Sequence, residues 1–581
     1  MNLKSLFPVL RKMTERAWRF ANMSNHPSSI TNSQSPIPNE AILLTDELLL
    51  YYKRCRRRAF LDYSGDPSQK DPPQDFLLKL RQDSSAHRRA ILKSAEYEES
   101  YGSAGESPLL SLLPTGANLT PIQTPNYRRD DWQAGAQATW ELMQQGVDCI
   151  AKGLLLRQTV EGVTLLGSPD LLLKQPGHSI FGDWMYVPVS IKFGRRAKAD
   201  YQIIAAFHAH LLAEIQGSLP SQAWLILRRR NAYSVTLDKW LPLMQAELAD
   251  CIQTLQQPQA PEVFISRQKC GLCHWHSSCY AIAQSQKHIS LIPGVTPKRY
   301  QSLQELGITT VESLAQAEIS TLAYEFGSEV GLNLVQQAQS IQHNRVILRQ
   351  RFEPATETPP FDRLTESENN ANGAGVNSYS EFQPSMRYTD RLPQASVELF
   401  FDIEAQPDLN LDYLLGILVI DRSTNTETFH PFLAEHPDDE ALIWQQFLEL
   451  VWLYPDAPIF HFSDYEVETV KRLAKLYKTP FTQLQPLLSR FVDVHQHVMS
   501  TVTLPVESYS LKHLARWLGF EWRDAAVTGS QCVCLYEQWL TTGDRTVLEI
   551  IQRYNEDDCR ATYHLKDWLC GFLQANAPTS A

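Results

Sequence analysis

The chain has 581 residues, is 43% hydrophobic and 20% charged, and carries a formal net charge of −12. It holds no run of about 18 uninterrupted apolar residues, so a hydrophobic membrane-spanning helix is not expected. Ten cysteines spread over this length do not make a disulfide scaffold; clustered cysteines in such a chain more often hold metal, and a reducing, cytoplasmic compartment is expected.

Residues 1–40 open with the basic stretch "MNLKSLFPVLRKMTERAWRF" and continue into a polar run; lacking a long apolar core segment, they read as a flexible extension. Residues 41–285 mix helical periodicity with two β-rich runs, "GVTLLGSPDLLL" and "MYVPVSIKF". Residues 286–350 read as short helices joined by turns. Residues 351–394, rich in Pro, Asn, Ser and Glu and poor in aliphatics, read as a disordered linker. Residues 395–575 begin with the β stretch "SVELFFDI" and end in a helix, so the two larger blocks are expected to be separate α/β domains. The charge divides unevenly between them. Residues 391–581 hold 14 Lys+Arg against 27 Asp+Glu, and the first 390 hold 39 against 38. Local clusters "KRCRRR" (53–58), "KFGRRAK" (192–198) and "RRR" (228–230) put a phosphate-binding surface in the N-terminal part, unless they are solvated faces.

Cys270, Cys273 and Cys279 form C-x2-C-x5-C, one thiolate short of a closed site. Cys55, far upstream, is the best fourth ligand. Cys149 and Cys251 sit in apolar helical contexts, and Cys532, Cys534, Cys559 and Cys570 belong to the last block. Zinc is one occupant, with His274 and His276 as further ligands. The spacing also resembles the iron–sulfur staple of RecB-family nucleases, including CRISPR-associated spacer-acquisition and AddB-type nucleases. That resemblance implies a structural [4Fe–4S] cluster, with zinc as the alternative, and a restriction-endonuclease-like, PD-(D/E)xK fold over 41–285. It implies His87 and Asp170 as ligands of Mg²⁺ or Mn²⁺, Lys192 steadying the phosphate under attack, and Gln202, next to Tyr201, on the following helix. Where the family carries an acid two residues before the lysine, this chain has Ser190. Asp183 lies seven residues earlier and Asp200 is the other acid nearby, so activity at this first site stays open.

In the middle segment, "LIPGVTPKRYQSLQELGITTVESLAQA" resembles a helix-hairpin-helix, in which Gly294, Lys298 and Gly307 would help grip a phosphate without reading bases.

The last block carries the sharpest pattern. In "ELFFDIEAQ" the strand period of two sends Asp402 and Glu404 to one face. Two carboxylates in so apolar a strand are costly unless a cation neutralises them. In "RYNEDDCRAT" Tyr554 and Asp558 stand four apart on one helical face. Between them lie His461, Asp464, Glu466 and Asp493. This order resembles the DnaQ-like, RNase H-fold exonucleases, whose middle acid corresponds to Glu466, with Asp464 its rival; "YSLKHLARWLGF" (509–520) resembles the segment ahead of their last helix. The resemblance implies two-metal hydrolysis with Asp402, Glu404, Glu466 and Asp558 holding Mg²⁺ or Mn²⁺, Tyr554 orienting water, and strands trimmed from the 3′ end. The implied partner is nucleic acid, DNA before RNA, with any unwinding left to a separate helicase because no Walker A loop is present. The rival reading is a non-catalytic nucleic-acid-binding protein with decayed nuclease sites.

Overall fold

The computed structural model describes residues 42–96, 112, 122–159, 162–228, 232–349 and 392–576. The expected extension 1–40, nearly all of the expected linker 351–394, and Arg229 and Arg230 of the basic triplet lie outside the described residues. The chain divides into two compact units: Met1–Val263 with Arg267–Ser278, and Phe264–Ser266 with Cys279–Ala581. No helix among the described residues is long and apolar enough to cross a membrane.

In the first unit, β1 (Leu43–Thr45) runs into α1 (Asp46–Arg54), whose first turn is capped by the Thr45 hydroxyl accepting the Leu48 N–H at 3.0 Å. Cys55 adopts extended backbone, which ends α1 and starts α2 (Arg56–Ser64); its sulfur accepts the Arg58 N–H at 3.4 Å. There follow α3 (Asp75–Glu96), α4 (Trp132–Gln144), β2 (Cys149–Ala151), β3 (Leu155–Gln158), β4 (Thr164–Gly167), β5 (Leu171–Ser179) and β6 (Gly182–Lys192). After β6 come α5 (Ala199–Gln216), β7 (Ala223–Leu227), β8 (Tyr233–Val235) and α6 (Leu237–Leu255). Its main sheet has the order β2-β5-β6-β7-β8, and a smaller one the order β1-β4-β3. In the main sheet only β6 and β7 run parallel. A parallel pair needs a crossover, which α5 supplies. Met185 to Ile191 of β6 are all buried, as a strand covered on both faces requires. α5 is buried on most of its circumference, from Gln202 to Ala209, which its apolar sequence demands.

The helical segment of the second unit holds α7 (Pro297–Glu305), α8 (Val311–Ala315), α9 (Ile319–Phe326) and α10 (Ser328–His343), built on a small core of Ile289, Leu303, Leu314, Leu322 and Leu334. Then come β9 (Ile347–Leu348), β10 (Val397–Gln406), β11 (Leu411–Asp421), β12 (Thr426–Leu433) and α11 (Glu440–Leu453). The chain continues through β13 (Ile459–His461), α12 (Tyr465–Leu476), α13 (Phe481–Leu488), β14 (Phe491–Asp493), α14 (Val494–Thr501) and β15 (Val502–Thr503). It ends with α15 (Leu511–Trp517), α16 (Gly529–Thr542) and α17 (Arg545–Ala575). The five-stranded sheet has the order β12-β11-β10-β13-β14, an antiparallel meander continued by two parallel strands. The helical segment is tied to this domain: β9 pairs antiparallel with β15, and the Gln337 side-chain amide donates to the Leu504 carbonyl at 2.7 Å.

Cores form on both faces of that sheet because β10 alternates. Leu399, Phe401 and Ile403 enter one core with Phe447 and Phe491, and Phe400 enters the other with Leu418 and Phe460. α17, 31 residues or about 46 Å long, crosses β10 and β11, and the Asp544 carboxylate caps its start by accepting the Thr546 N–H at 3.0 Å. It is pinned below by a buried ion pair, Lys566 Nζ to Glu398 Oε1 at 2.6 Å, which Arg422 completes at 2.6 Å to Glu398 Oε2.

Candidate active site

Asp402 and Glu404 share the Phe400 face of β10, the side on which α17 lies. α17 turns Tyr554 and Asp558 toward them from one face of the helix. The result is a convergence: Asp402, Glu404 and Asp558 each present a carboxylate oxygen, and the three lie within 4.8 Å of one another. Among the described residues no other three His, Cys, Asp or Glu ligands meet this closely. Burial raises the pKa of all three, and repulsion by Asp558, Glu404 and Glu466 raises Asp402 further. Buried, mutually repelling oxygen ligands suit a hard divalent cation, whose charge would remove both penalties at once.

The neighbours hold these acids in place. The Asn555 amide donates to Asp402 Oδ2 at 2.7 Å, and the Trp522 indole N–H donates to Asp558 Oδ1 at 2.7 Å. Tyr554 is buried, and with Trp522 and Lys512 it lowers the Asp558 pKa against the larger effect of burial. Lys512 Nζ stands 4.6 Å from the Tyr554 ring centroid and 5.4 Å from that of Trp522, while donating to the Val527 carbonyl. Burial lowers its pKa, and the carboxylates of Asp558 and Glu404 act in the opposite direction. Lys512 is therefore the resident cation of an acidic nest.

The two rivals for the middle acid differ in placement. Glu466 is buried in the first turn of α12, with one carboxylate oxygen 3.6 Å from His461 Nδ1, and burial raises its pKa. Asp464, two residues earlier, is exposed. Asp493 serves as a cap, its Oδ1 accepting the N–H groups of Ser463 at 3.2 Å and Gln496 at 3.1 Å.

Asn555, Trp522, Lys512 and Gly416 escaped the reading of the sequence. Asn555 lies inside "RYNEDDCRAT" and Lys512 inside "YSLKHLARWLGF", but nothing local marks either as facing Asp402 or Asp558.

The first-unit residues are not gathered in this way. Asp170 follows β4 and holds Arg88 Nε at 2.6 Å through Oδ1 and the Ile191 N–H at 2.6 Å through Oδ2. His87 stands beside Phe193, and Lys192 ends β6. Gln202 spends its amide on the Ala197 carbonyl at 2.9 Å and receives the Tyr233 hydroxyl at 3.4 Å. Asp200 pairs with Arg54 at 2.7 Å, and Asp183, exposed, lies 3.1 Å from His178 Nδ1. Cys55, Cys270, Cys273 and Cys279 are half-buried and outside any disulfide. Of the hairpin residues, Gly294 and Gly307 have positive φ (91° and 74°), which turns of this tightness require, and Lys298 is exposed.

Residues 399–570 match the RNase_H_2 family of the RNase H superfamily. The domain holding the three converging acids is thus RNase H-like, a class of fold that acts on nucleic acids with divalent metals, and the match ends just past the helix segment that carries Tyr554 and Asp558 into the site. No curated protein matches the chain.

Proposed function

We propose that the chain is a metal-dependent nuclease that removes nucleotides from the 3′ end of a single strand at the C-terminal site. The observation that carries this reading is the meeting of Asp402, Glu404 and Asp558 within 4.8 Å in an RNase H-like domain. These three would hold Mg²⁺ or Mn²⁺, with buried Glu466 completing the set from the Asp402 side. A divalent cation bound there supplies the positive charge that phosphodiester hydrolysis demands on the phosphoryl and leaving oxygens. Asp402 is oriented for this by Asn555, and Asp558 by Trp522. Tyr554, buried and one helical turn before Asp558 on the same face of α17, is suited to orient the attacking water. Lys512 offsets part of the acids' charge and keeps their repulsion from opening the site.

The first unit is proposed to be RecB-like and to bind DNA. The β6–α5–β7 crossover and the order of His87, Asp170, Lys192 and Gln202 support that reading. The four cysteines are proposed to hold a [4Fe–4S] staple, with zinc as the alternative; their spacing supports it, and an anaerobic absorption spectrum distinguishes a brown cluster from colourless zinc. A separate helicase would supply duplex unwinding.

The test uses purified full chain with single-stranded DNA and RNA labelled at either end, with and without Mn²⁺. Mononucleotides should leave the 3′ end only when metal is present. Asp402→Ala with Asp558→Ala should abolish the release, and digestion unchanged by that pair would overturn the assignment.

A further inference from the structure

Two of the three converging acids have a neutral donor that fixes them, Asn555 for Asp402 and Trp522 for Asp558. Glu404 has none among the described residues: besides burial, the influences on it are the charges of Asp558 and Lys512. A carboxylate that ligates a metal is ordinarily held by an outer hydrogen bond of this kind, and losing that bond weakens the metal. The strand beside Glu404 carries an unused donor.

In the β10–β11 register Glu404 stands opposite Leu414, and Ala405 opposite Asp412. Tyr413 is therefore the extra residue of a β-bulge, next to Glu404 across the strands. Bulges beside functional sites break the alternation of a strand and re-aim a side chain. Here the ring is turned onto α16: it stacks on Tyr536, with centroids 3.9 Å apart and planes 3° from parallel. α16 packs against β10 and against α17, the helix that brings Asp558. The two stacked phenols differ in what they bind. The Tyr536 hydroxyl donates to the Ala434 carbonyl at 2.8 Å. The Tyr413 hydroxyl, on a side chain with 0% exposure, is buried without a hydrogen-bond partner.

The charge nearest in effect to that hydroxyl is Glu404. Burial, and after it the Glu404 carboxylate ahead of every other charge, pushes the Tyr413 pKa well above its usual value. Cys532, one turn before Tyr536 on α16, is pushed up by burial and then by Glu404, which acts on it more strongly than Asp558 or Asp402. A phenol that keeps its proton acts toward a carboxylate only as a donor. An unpaired buried hydroxyl is costly to a fold. This one is held stiffly, in a bulge and in a stack, beside the one acid of the three that lacks a donor.

We propose that Tyr413 is the positioning residue of Glu404: with a divalent cation bound, its hydroxyl donates to the Glu404 carboxylate, directly or through one water. It acts through Glu404 and not on the substrate, and this rests on the metal-dependent reading given above.

The experiment titrates Mn²⁺ calorimetrically into the full chain and into its Tyr413→Phe variant, with thermal unfolding in EDTA alongside. Phenylalanine keeps the ring and its stack and removes only the unpaired oxygen, so Tm in EDTA should hold or rise. Mn²⁺ affinity should fall about tenfold, the lower end for a lost outer contact to a ligand. A merely structural tyrosine would move Tm alone, or lower both readouts together. Tyr536→Phe is the control: it loses the bond to Ala434, so Tm in EDTA should fall while Mn²⁺ affinity holds. Unchanged Mn²⁺ affinity in Tyr413→Phe, a lowered Tm of that variant in EDTA, or an equal loss of affinity in Tyr536→Phe would overturn the proposal. Failure of the nuclease reading shows separately, as an unsubstituted chain that binds no Mn²⁺ or leaves labelled strands intact; equal Mn²⁺ binding by the chain and its Tyr413→Phe variant sinks this inference alone.

Discussion

Replacing Gly416 by alanine tests whether the acid pair is held by an interlock across the sheet. Gly416 lies directly opposite Asp402 in the β10–β11 register. A Cβ there would stand 1.6 Å from Asn555 Oδ1, 2.8 Å from Asn555 Cγ and 3.1 Å from a Phe429 ring carbon. Asn555 is fully buried and cannot swing into solvent, so it must leave its place, and with it goes the 2.7 Å bond to Asp402. Overpacking costs about 1–3 kcal/mol, and a lost hydrogen bond to a charged group about 1.5–3 kcal/mol. Gly416→Ala should therefore destabilise the C-terminal domain by roughly 3–5 kcal/mol. Second-layer support of this kind is worth about ten- to a hundredfold in metal affinity, so Mn²⁺ binding should weaken in step.

The decisive comparison is a double-mutant cycle. Asn555→Ala empties the space the new methyl group needs, and it removes an Oδ1 that has no hydrogen-bond partner. In that background Gly416→Ala should cost less than about 1 kcal/mol, a coupling well above the few tenths expected of independent sites. Urea unfolding of the four proteins, with and without Mn²⁺, measures it. An equal cost for Gly416→Ala in both backgrounds would refute the interlock and leave Asp402 positioned by something else.

Three further outcomes follow from the same charges. The folded pKa values of Asp402, Glu404 and Asp558 are raised, that of Asp558 to about 7. Stability is thus fully present below the ordinary carboxylate range near about 4 and is lost as pH rises through the folded values. The metal-free chain should melt progressively lower from pH 5 to pH 8, and saturating Mn²⁺ should remove the trend; a flat metal-free profile would count against three buried acids. Lys512→Gln withdraws the cation beside Asp558, so metal-free Tm at pH 8 should fall while Mn²⁺ binds severalfold tighter by calorimetry; changes of the same sign would show a purely structural lysine. Lys566→Met leaves the buried Glu398 with Arg422 alone, and chemical unfolding should show a loss of about 3 kcal/mol, the lower end for a broken buried pair.

What the sequence disclosed, and what it hid, follows from the range of each interaction. Asp402 with Glu404, and Tyr554 with Asp558, are separated by two and four residues, so strand and helix periods alone put each pair on a face. The choice between Glu466 and Asp464 was not legible, because both are acids beside a helix start and only packing against His461 buries one of them. Gly416 sits in the apolar run "LDYLLGILVI", where a glycine reads as a weak point in a strand; its meaning depends on Asn555, 139 positions away in the chain. The helical segment expected over 286–350 shares a unit with the C-terminal domain through β9 and β15, strands of two residues each, too short to show any period. The first unit shows the deepest limit. An aspartate that holds a metal and one that holds Arg88 are the same letter, and "SSAHRRAILKS" gives no sign that its second basic residue turns inward. Like charges gathered in an apolar strand betray themselves because no neighbour in the sequence answers them. A charge already answered by the chain's own arginine leaves no such trace, which is why the acidic site was readable and the Arg88–Asp170 pair was not.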